Sequence, residues 1–164
     1  MRHVDYLAVA EKALQQIKKG AFLTVQAGDA LNVMTIGWAT VGFLWGRPMM
    51  SVMVRKTRHT FSIIEKCSEF TVSVPNGDYE AALSICGTKS GKNVDKFRAC
   101  NLELNPGQKV KTPSLLIPGL HFECAIVYKS ALDPKHLISV YSHLYPEKDY
   151  HTMYFGEIKY SFEA

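Results

Sequence analysis

Hydrophobic positions change their period several times along the chain. Between Asp5 and Lys19, Leu7, Ala10, Leu14 and Ile17 recur at helical spacing, with Asp5 placed to cap the start and Gly20 to close the end. Phe22 to Val25 then has the composition of a strand, ending at the turn signal Gly28-Asp29. Val33 to Phe43 and Met49 to Val54 are strand formers separated by Leu44-Trp45-Gly46-Arg47-Pro48, which predicts a hairpin. Phe61, Ile64 and Cys67 return to helical spacing, with Thr57 or Thr60 as the cap, before a strand over Phe70 to Val74 closed by Pro75-Asn76-Gly77. Asp78 is a natural N-cap for a helix over Tyr79 to Ile85, Gly87 to Gly91 suits a loop, and Val94 to Cys100 a short helix. The last third holds three runs of strand composition, Phe122 to Tyr128, His136 to Tyr145 and Thr152 to Phe162, which predict a terminal meander.

Strands outnumber helices, and the helices fall between them without a βαβ rhythm, so a doubly wound parallel sheet is not expected. A mainly antiparallel β-barrel with peripheral helices fits best, since closure removes the edges of the long terminal strands. The 164 residues suit one folding unit over 1–164, and 47% hydrophobic with 21% charged residues is ordinary for a globular chain. No apolar run approaches the roughly 20 residues that span a bilayer, and Met1 to Asp5 lacks a signal-peptide core. A cytoplasmic protein with no membrane partner is therefore expected. Cys67, Cys86, Cys100 and Cys124 form no CxxC pair, so reduced thiols are the expectation. The net charge of +4 is modest and its basic residues are scattered, which suits local anion sites better than a nucleic-acid surface.

Two segments concentrate groups for such a site. Arg55-Lys56-Thr57-Arg58-His59-Thr60 sits at a strand-to-helix junction and combines guanidinium forks, hydroxyls and helix N–H groups, the parts of a phosphate site; a solvated basic helix start is the plain alternative. Cys86-Gly87-Thr88-Lys89-Ser90-Gly91-Lys92 is a second Gly-containing loop able to present N–H groups to an anion, although it lacks Walker spacing and a mobile polar loop would look the same. Asn32-Val33-Met34-Thr35 brings an amide, a thioether and a hydroxyl that could meet a flat heteroaromatic ring. Trp38 and Trp45 could stack on such a ring or fill the core. The histidines show no HExxH spacing, no acidic pair stands out and no GxSxG occurs, so neither a metal centre nor hydrolysis has support.

Taken in order, Asn32 to Thr35, Val54 to Thr60, Glu69 to Pro75, Ser90-Gly91-Lys92 with Asp95-Lys96-Phe97, and Asp149 to Ile158 resemble the flavin reductase-like, flavoredoxin-type family across nearly the whole chain. The resemblance implies an FMN-binding split barrel, assembled as a homodimer with the flavin near the subunit interface. It also implies either reduction of flavin by NADH or NADPH, or electron carriage for a redox protein partner with FMN held tightly. Carried over by position, Asn32, Val33, Met34 and Thr35 would line the isoalloxazine edge, and Met53 and Val54 would face the ring and ribityl chain. Arg55, Arg58 and Thr60 would hold the phosphate, completed by Ser90, Gly91 and Lys92. His151 matches a histidine near the meeting point of nicotinamide and flavin. A barrel of the same fold that binds another ligand is the remaining reading.

Overall fold

The computed structural model describes all 164 residues. In chain order the elements are β1 (Arg2–His3), α1 (Tyr6–Ile17), β2 (Ala21–Ala27), β3 (Ala30–Ile36), β4 (Ala39–Leu44), β5 (Arg47–Arg55), α2 (His59–Ile64), β6 (Glu69–Pro75), α3 (Glu80–Thr88), α4 (Lys96–Ala99), β7 (Leu104–Asn105), β8 (Ser114–Leu115), β9 (Gly119–Ala131) and β10 (His151–Glu163). One antiparallel sheet runs β3-β2-β6-β9-β10-β5-β4, with β1 added beside β10. Its two edge strands, β3 and β4, are joined by only Gly37 and Trp38, yet they do not pair with each other. Three peptide units cannot hold two edges far apart, so the sheet must curl until its edges meet at that connection. The fold is thus a mostly β, antiparallel barrel split along the β3/β4 seam.

Period-2 alternation aims Leu23, Val25, Met50, Val52, Val54, Phe70, Val72, Phe122, Cys124 and Tyr154 into the main core, where Ala13 and Ile17 of α1 and Ile63 and Ile64 of α2 join them. The side chains of Phe70, Phe122 and Tyr154 are fully buried, each contributing roughly 1.5–3 kcal/mol of transfer free energy. A second, smaller core of Phe22, Val33, Leu83, Cys86, Leu102, Leu115 and Ile117 fixes α3 and the following loops against the other face of β2 and β3. Two carboxylates fold the loop between β7 and β8. Buried Glu123 accepts from the N–H groups of Gln108, Lys109 and Val110 at 2.9, 2.7 and 3.3 Å, and Glu69 from those of Lys111 and Thr112 at 2.6 and 3.0 Å.

Several sequence expectations need correction. The run from Val33 to Phe43 is two strands broken at Gly37-Trp38, and the hairpin is β4–β5, turned by Trp45 and Gly46 at φ 53° and 72°, as a two-residue I′-type turn requires. The α2 cap position is Arg58; Thr57 Oγ1 donates instead to Asp149 Oδ2 at 2.5 Å, and Thr60 is already inside the helix. Helix α3 runs on to Thr88, absorbing the start of the expected loop. The run from His136 to Tyr145 is not a strand. It forms two 3-10 turns, Pro134–His136 and Ser139–Leu144, between the paired strands β9 and β10. No helix is long and apolar enough to cross a membrane.

Candidate functional site: a groove along the barrel seam

The seam opens a groove walled by Met34, Thr35, Ile36, Gly37, Trp38, Met53, Arg55, Arg58 and His151. It continues past Met34 and Arg58, which line both parts, into a cradle formed by Thr57, His59, Thr60, Cys86, Thr88, Lys89, Ser90, Gly91 and Lys96. One end is therefore apolar and aromatic, the other cationic and rich in hydroxyls. Strand β3 supplies a free edge. Its Val33 carbonyl accepts from Lys96 Nζ, so alternation along the strand turns the main-chain groups of Thr35 toward the same open side.

Most of the residues anticipated from sequence meet here. Asn32 is buried and donates Nδ2–H to Thr60 Oγ1 at 2.8 Å, tying β3 to α2. Gly91 approaches that amide so closely that a Cβ would overlap Asn32 Oδ1. Thr35 Oγ1 donates to the Leu83 carbonyl at 2.6 Å, which leaves its main chain rather than its hydroxyl for a ligand. Arg58 donates one Nη–H to the Gly87 carbonyl at 2.6 Å, drawing the α3 end toward α2 across the cradle. Ser90 Oγ accepts from the Lys92 N–H at 3.3 Å.

Other residues singled out in the sequence sit differently. Val33 and Val54 point into the second and main cores, because each alternates with a neighbour that faces the groove, so neither side chain meets a ligand. Arg55 lines the groove, but its guanidinium is engaged: the two Nη groups donate to the carbonyls of Asp149 and Leu144 at 3.0 Å, and it lies 4.9 Å over the Tyr145 ring. It holds the 3-10 segment in place instead of reaching into the cradle. The Lys92 side chain is outside the cradle's walls. The sequence named His59 and Lys96 only within their motifs, without a role for either, and gave no ligand role to Ile36, Gly37, Tyr145 or Trp38.

His151 closes the apolar end. Its Nδ1 lies 2.9 Å from the hydroxyl of buried Tyr145, and its ring sits 5.1 Å from that of Trp38. Burial pushes His151 down to about 4, and the nearby Arg55 guanidinium pushes the same way. The imidazole is thus neutral at ordinary pH, with Nδ1 and the Tyr145 hydroxyl sharing one hydrogen bond. His121 is neutral for the same leading reason, also at about 4; fully buried and stacked on Phe162, it spans Ser73 Oγ and the Ile117 carbonyl at 3.0 Å each. An unfolded histidine titrates near 6.5. As pH falls from 6.5 toward 4, the unfolded chain gains protons that the folded chain does not, and stability drops. Two such groups give a slope of about 1.4–2.7 kcal/mol per pH unit in that window. Urea unfolding at pH 7, 5.5 and 4.5 measures it, and a flat profile would contradict the neutral buried histidines.

Residues 18–159 match the family described as flavin reductase like domain. The chain belongs to this flavin-associated family. It is 32% identical over 106 residues to an uncharacterized protein of Archaeoglobus fulgidus, covering 65% of this chain and 59% of that one. Against an uncharacterized protein of Pyrococcus abyssi it is 31% identical over 133 residues, covering 80% of this chain and 65% of that one. The chain thus spans about three fifths of the length of these curated relatives. Among solved structures, the flavoredoxin of Methanosarcina acetivorans superposes with a TM-score of 0.68 at 25% identity, over 88% of this chain and 68% of that one. An NADH:FAD oxidoreductase of Streptomyces globisporus C-1027, in complex with NAD and FAD fragments, shares the fold with a TM-score of 0.68 at 20% identity, over 100% and 87%.

Proposed function

We propose that this chain binds FMN in the seam groove and acts as an NADH- or NADPH-dependent flavin oxidoreductase. The observation that carries this reading is the polarity of a single continuous groove, apolar and aromatic at Trp38 and Met53, cationic and hydroxyl-bearing at Arg58 and Ser90. FMN is divided in the same way, with a flat ring at one end and a phosphate of about −1.5 to −2 charge at the other. The polarizable thioethers of Met34 and Met53 suit the ring's apolar part, and the free edge at Thr35 offers main-chain partners to its heteroatoms. Arg58 keeps N–H groups beyond the one given to Gly87, available for charge-assisted bonds to phosphate. A bound flavin supplies the hydride and electron chemistry itself, so no nucleophile is required of the protein. The neutral His151 leaves its Nε2 for a co-substrate entering beside Trp38.

Anaerobic addition of NADH or NADPH to the FMN-loaded protein tests this reading. Prompt bleaching of the oxidised-flavin absorption is the expected result. A flavin that stays oxidised until dithionite is added would replace the reductase with an electron carrier, the reading favoured by the likeness to a flavoredoxin.

A homodimer belongs to the same proposal. Trp45, 61% exposed, packs edge-on against half-exposed Tyr128 and against Phe155, with ring centroids 5.9 and 6.3 Å apart, next to exposed Phe43 on edge strand β4. An aromatic face of this kind suits a subunit interface. Replacing Phe43 and Trp45 together with aspartate is expected to give monomers in analytical ultracentrifugation; a wild-type chain that is itself monomeric would refute the dimer.

A further inference from the structure

Two of the four cysteines, well apart along the chain, meet where α3 packs on α4. Cys86 stands in the last turn of α3 and is only 1% exposed, while half-buried Cys100 closes α4. Cys100 packs against the second core, which holds Cys86, and its Sγ lies 4.0 Å from the Ala82 carbonyl of α3. Ala82 precedes Cys86 by one helical turn and shares its face of the helix, so the two thiols come side by side. Each acts on the other: burial raises the Cys86 pKa, and Cys100, as its neighbour and hydrogen-bond partner, raises it further. Beside both stands the buried Lys96. Its ammonium donates to the Val33 and Cys86 carbonyls at 2.9 Å each and belongs to none of the chain's ion pairs, and its charge favours ionisation of Cys86. The remaining cysteines are placed differently. Cys67 donates to the Gln26 and Ile63 carbonyls at 3.2 Å each, and Cys124 is enclosed in the main core.

Packing alone accounts for a buried cysteine, which behaves as a small apolar side chain. It does not account for a second, more accessible thiol set against the first, next to an ammonium with no carboxylate partner. We propose that Cys86 and Cys100 are a redox pair, which a low-molecular-weight disulfide oxidises to a cross-link between α3 and α4. Cys100 releases its proton to solvent and its thiolate attacks one sulfur of the oxidant. The oxidant's S–S bond breaks, one of its thiolates leaves and takes up a proton, and a mixed disulfide stays on Cys100. Cys86 then releases its proton, its thiolate stabilised by the Lys96 ammonium, and attacks Cys100 Sγ. The second thiolate of the oxidant leaves and is protonated in turn. Two protein thiols have given up two electrons, and one small disulfide has become two thiols. The burial of Cys86 does not obstruct this step, because Cys100 rather than solvent presents the sulfur to be attacked.

The test incubates the folded, reduced protein with oxidised glutathione under argon. Samples are quenched in acid, denatured, alkylated with N-ethylmaleimide and weighed by intact-mass spectrometry. Wild type is expected to lose two of its four alkylatable thiols without retaining glutathione. Peptide mapping should place the single cross-link at Cys86 and Cys100, and dithiothreitol should restore all four thiols. Cys86→Ala should instead hold one glutathione on Cys100, the mixed disulfide that has lost its resolving partner. Cys100→Ser should form neither the cross-link nor the adduct. Retention of all four thiols by wild type, glutathione held on its Cys100, or a cross-link through Cys67 or Cys124 would each overturn the proposal. Should Cys86→Ala fail to fold, the wild-type thiol count and cross-link map decide on their own.

Discussion

Replacing Gly156 with valine is expected to destabilise the barrel strongly. Even one added carbon at Gly156 would lie 2.7 Å from Cys124 Cβ and from Cε1 and Cζ of Phe70. Neither neighbour is a loose chain end. Cys124 Cβ is fixed by strand β9, and the Phe70 ring is fully enclosed in the main core. The close approach arises where β10 shifts register against β9 between Phe155 and Gly156, a bulge that sharpens the local curl of the sheet. Overpacking costs about 1–3 kcal/mol when a core can adjust; here Gly156→Ala should reach the top of that range and Gly156→Val exceed it. Urea unfolding should show a lower midpoint at an unchanged slope. Gly42→Ala on β4, where an added Cβ meets nothing within 4 Å, serves as the control and should shift stability by less than about 0.5 kcal/mol.

The largest effect on ligand binding is expected from Arg58→Ala. Arg58 lines both ends of the groove and its bond to the Gly87 carbonyl holds the α3 end across the cradle, so alanine removes a cation and loosens the wall that carries Ser90 and Gly91. Loss of one charge-assisted hydrogen bond, about 1.5–3 kcal/mol, corresponds to roughly 10- to 150-fold weaker FMN binding. Arg55→Ala should act differently despite the same change of charge. It frees the carbonyls of Leu144 and Asp149 and the face of Tyr145, so its main signature should be faster backbone hydrogen exchange across residues 134–150 with a smaller loss of FMN affinity. Equal losses of affinity from the two variants would contradict the division of labour between the arginines.

What was legible in the sequence follows from local physics. Asp5 caps α1 as its position suggests, accepting from Leu7 N–H at 2.8 Å. The strands around Phe22, Phe70 and Phe122 are covered on both faces, one by the main core and the other by α3 or the β7/β8 loop, so the polar Thr71, Ser73, His121 and Glu123 that alternate with the apolar positions are buried as well. The run from His136 to Tyr145 misled because Leu137, Ile138, Val140 and Tyr141 have strand composition but no partner strand; Ile138, Val140 and Tyr141 are more than half exposed. The break at Gly37-Trp38 was equally hidden, since barrel closure at the seam, a non-local event, divides a run of uniform strand formers.

The motifs that stand out along the chain are brought together by the fold along the groove, but side-chain direction within it is decided elsewhere. Arg55 and Arg58 look equivalent as letters, yet one ends a strand beneath the 3-10 segment and the other starts a helix above the cradle. Lys96 was passed over because lysine is ordinarily solvent-facing. It lies between Asp95, whose side chain caps α4, and half-buried Phe97, on the inward side of a short helix whose Arg98 and Ala99 are exposed.

The central claim is that the seam groove is a flavin mononucleotide site, and quenching of FMN fluorescence on titration with the flavin-free protein tests it most directly. Saturable quenching at one FMN per chain is expected, weakened by Arg58→Ala and nearly untouched by Gly42→Ala. An absence of quenching and of any change in the flavin's visible spectrum, with a protein shown to be folded, would contradict it.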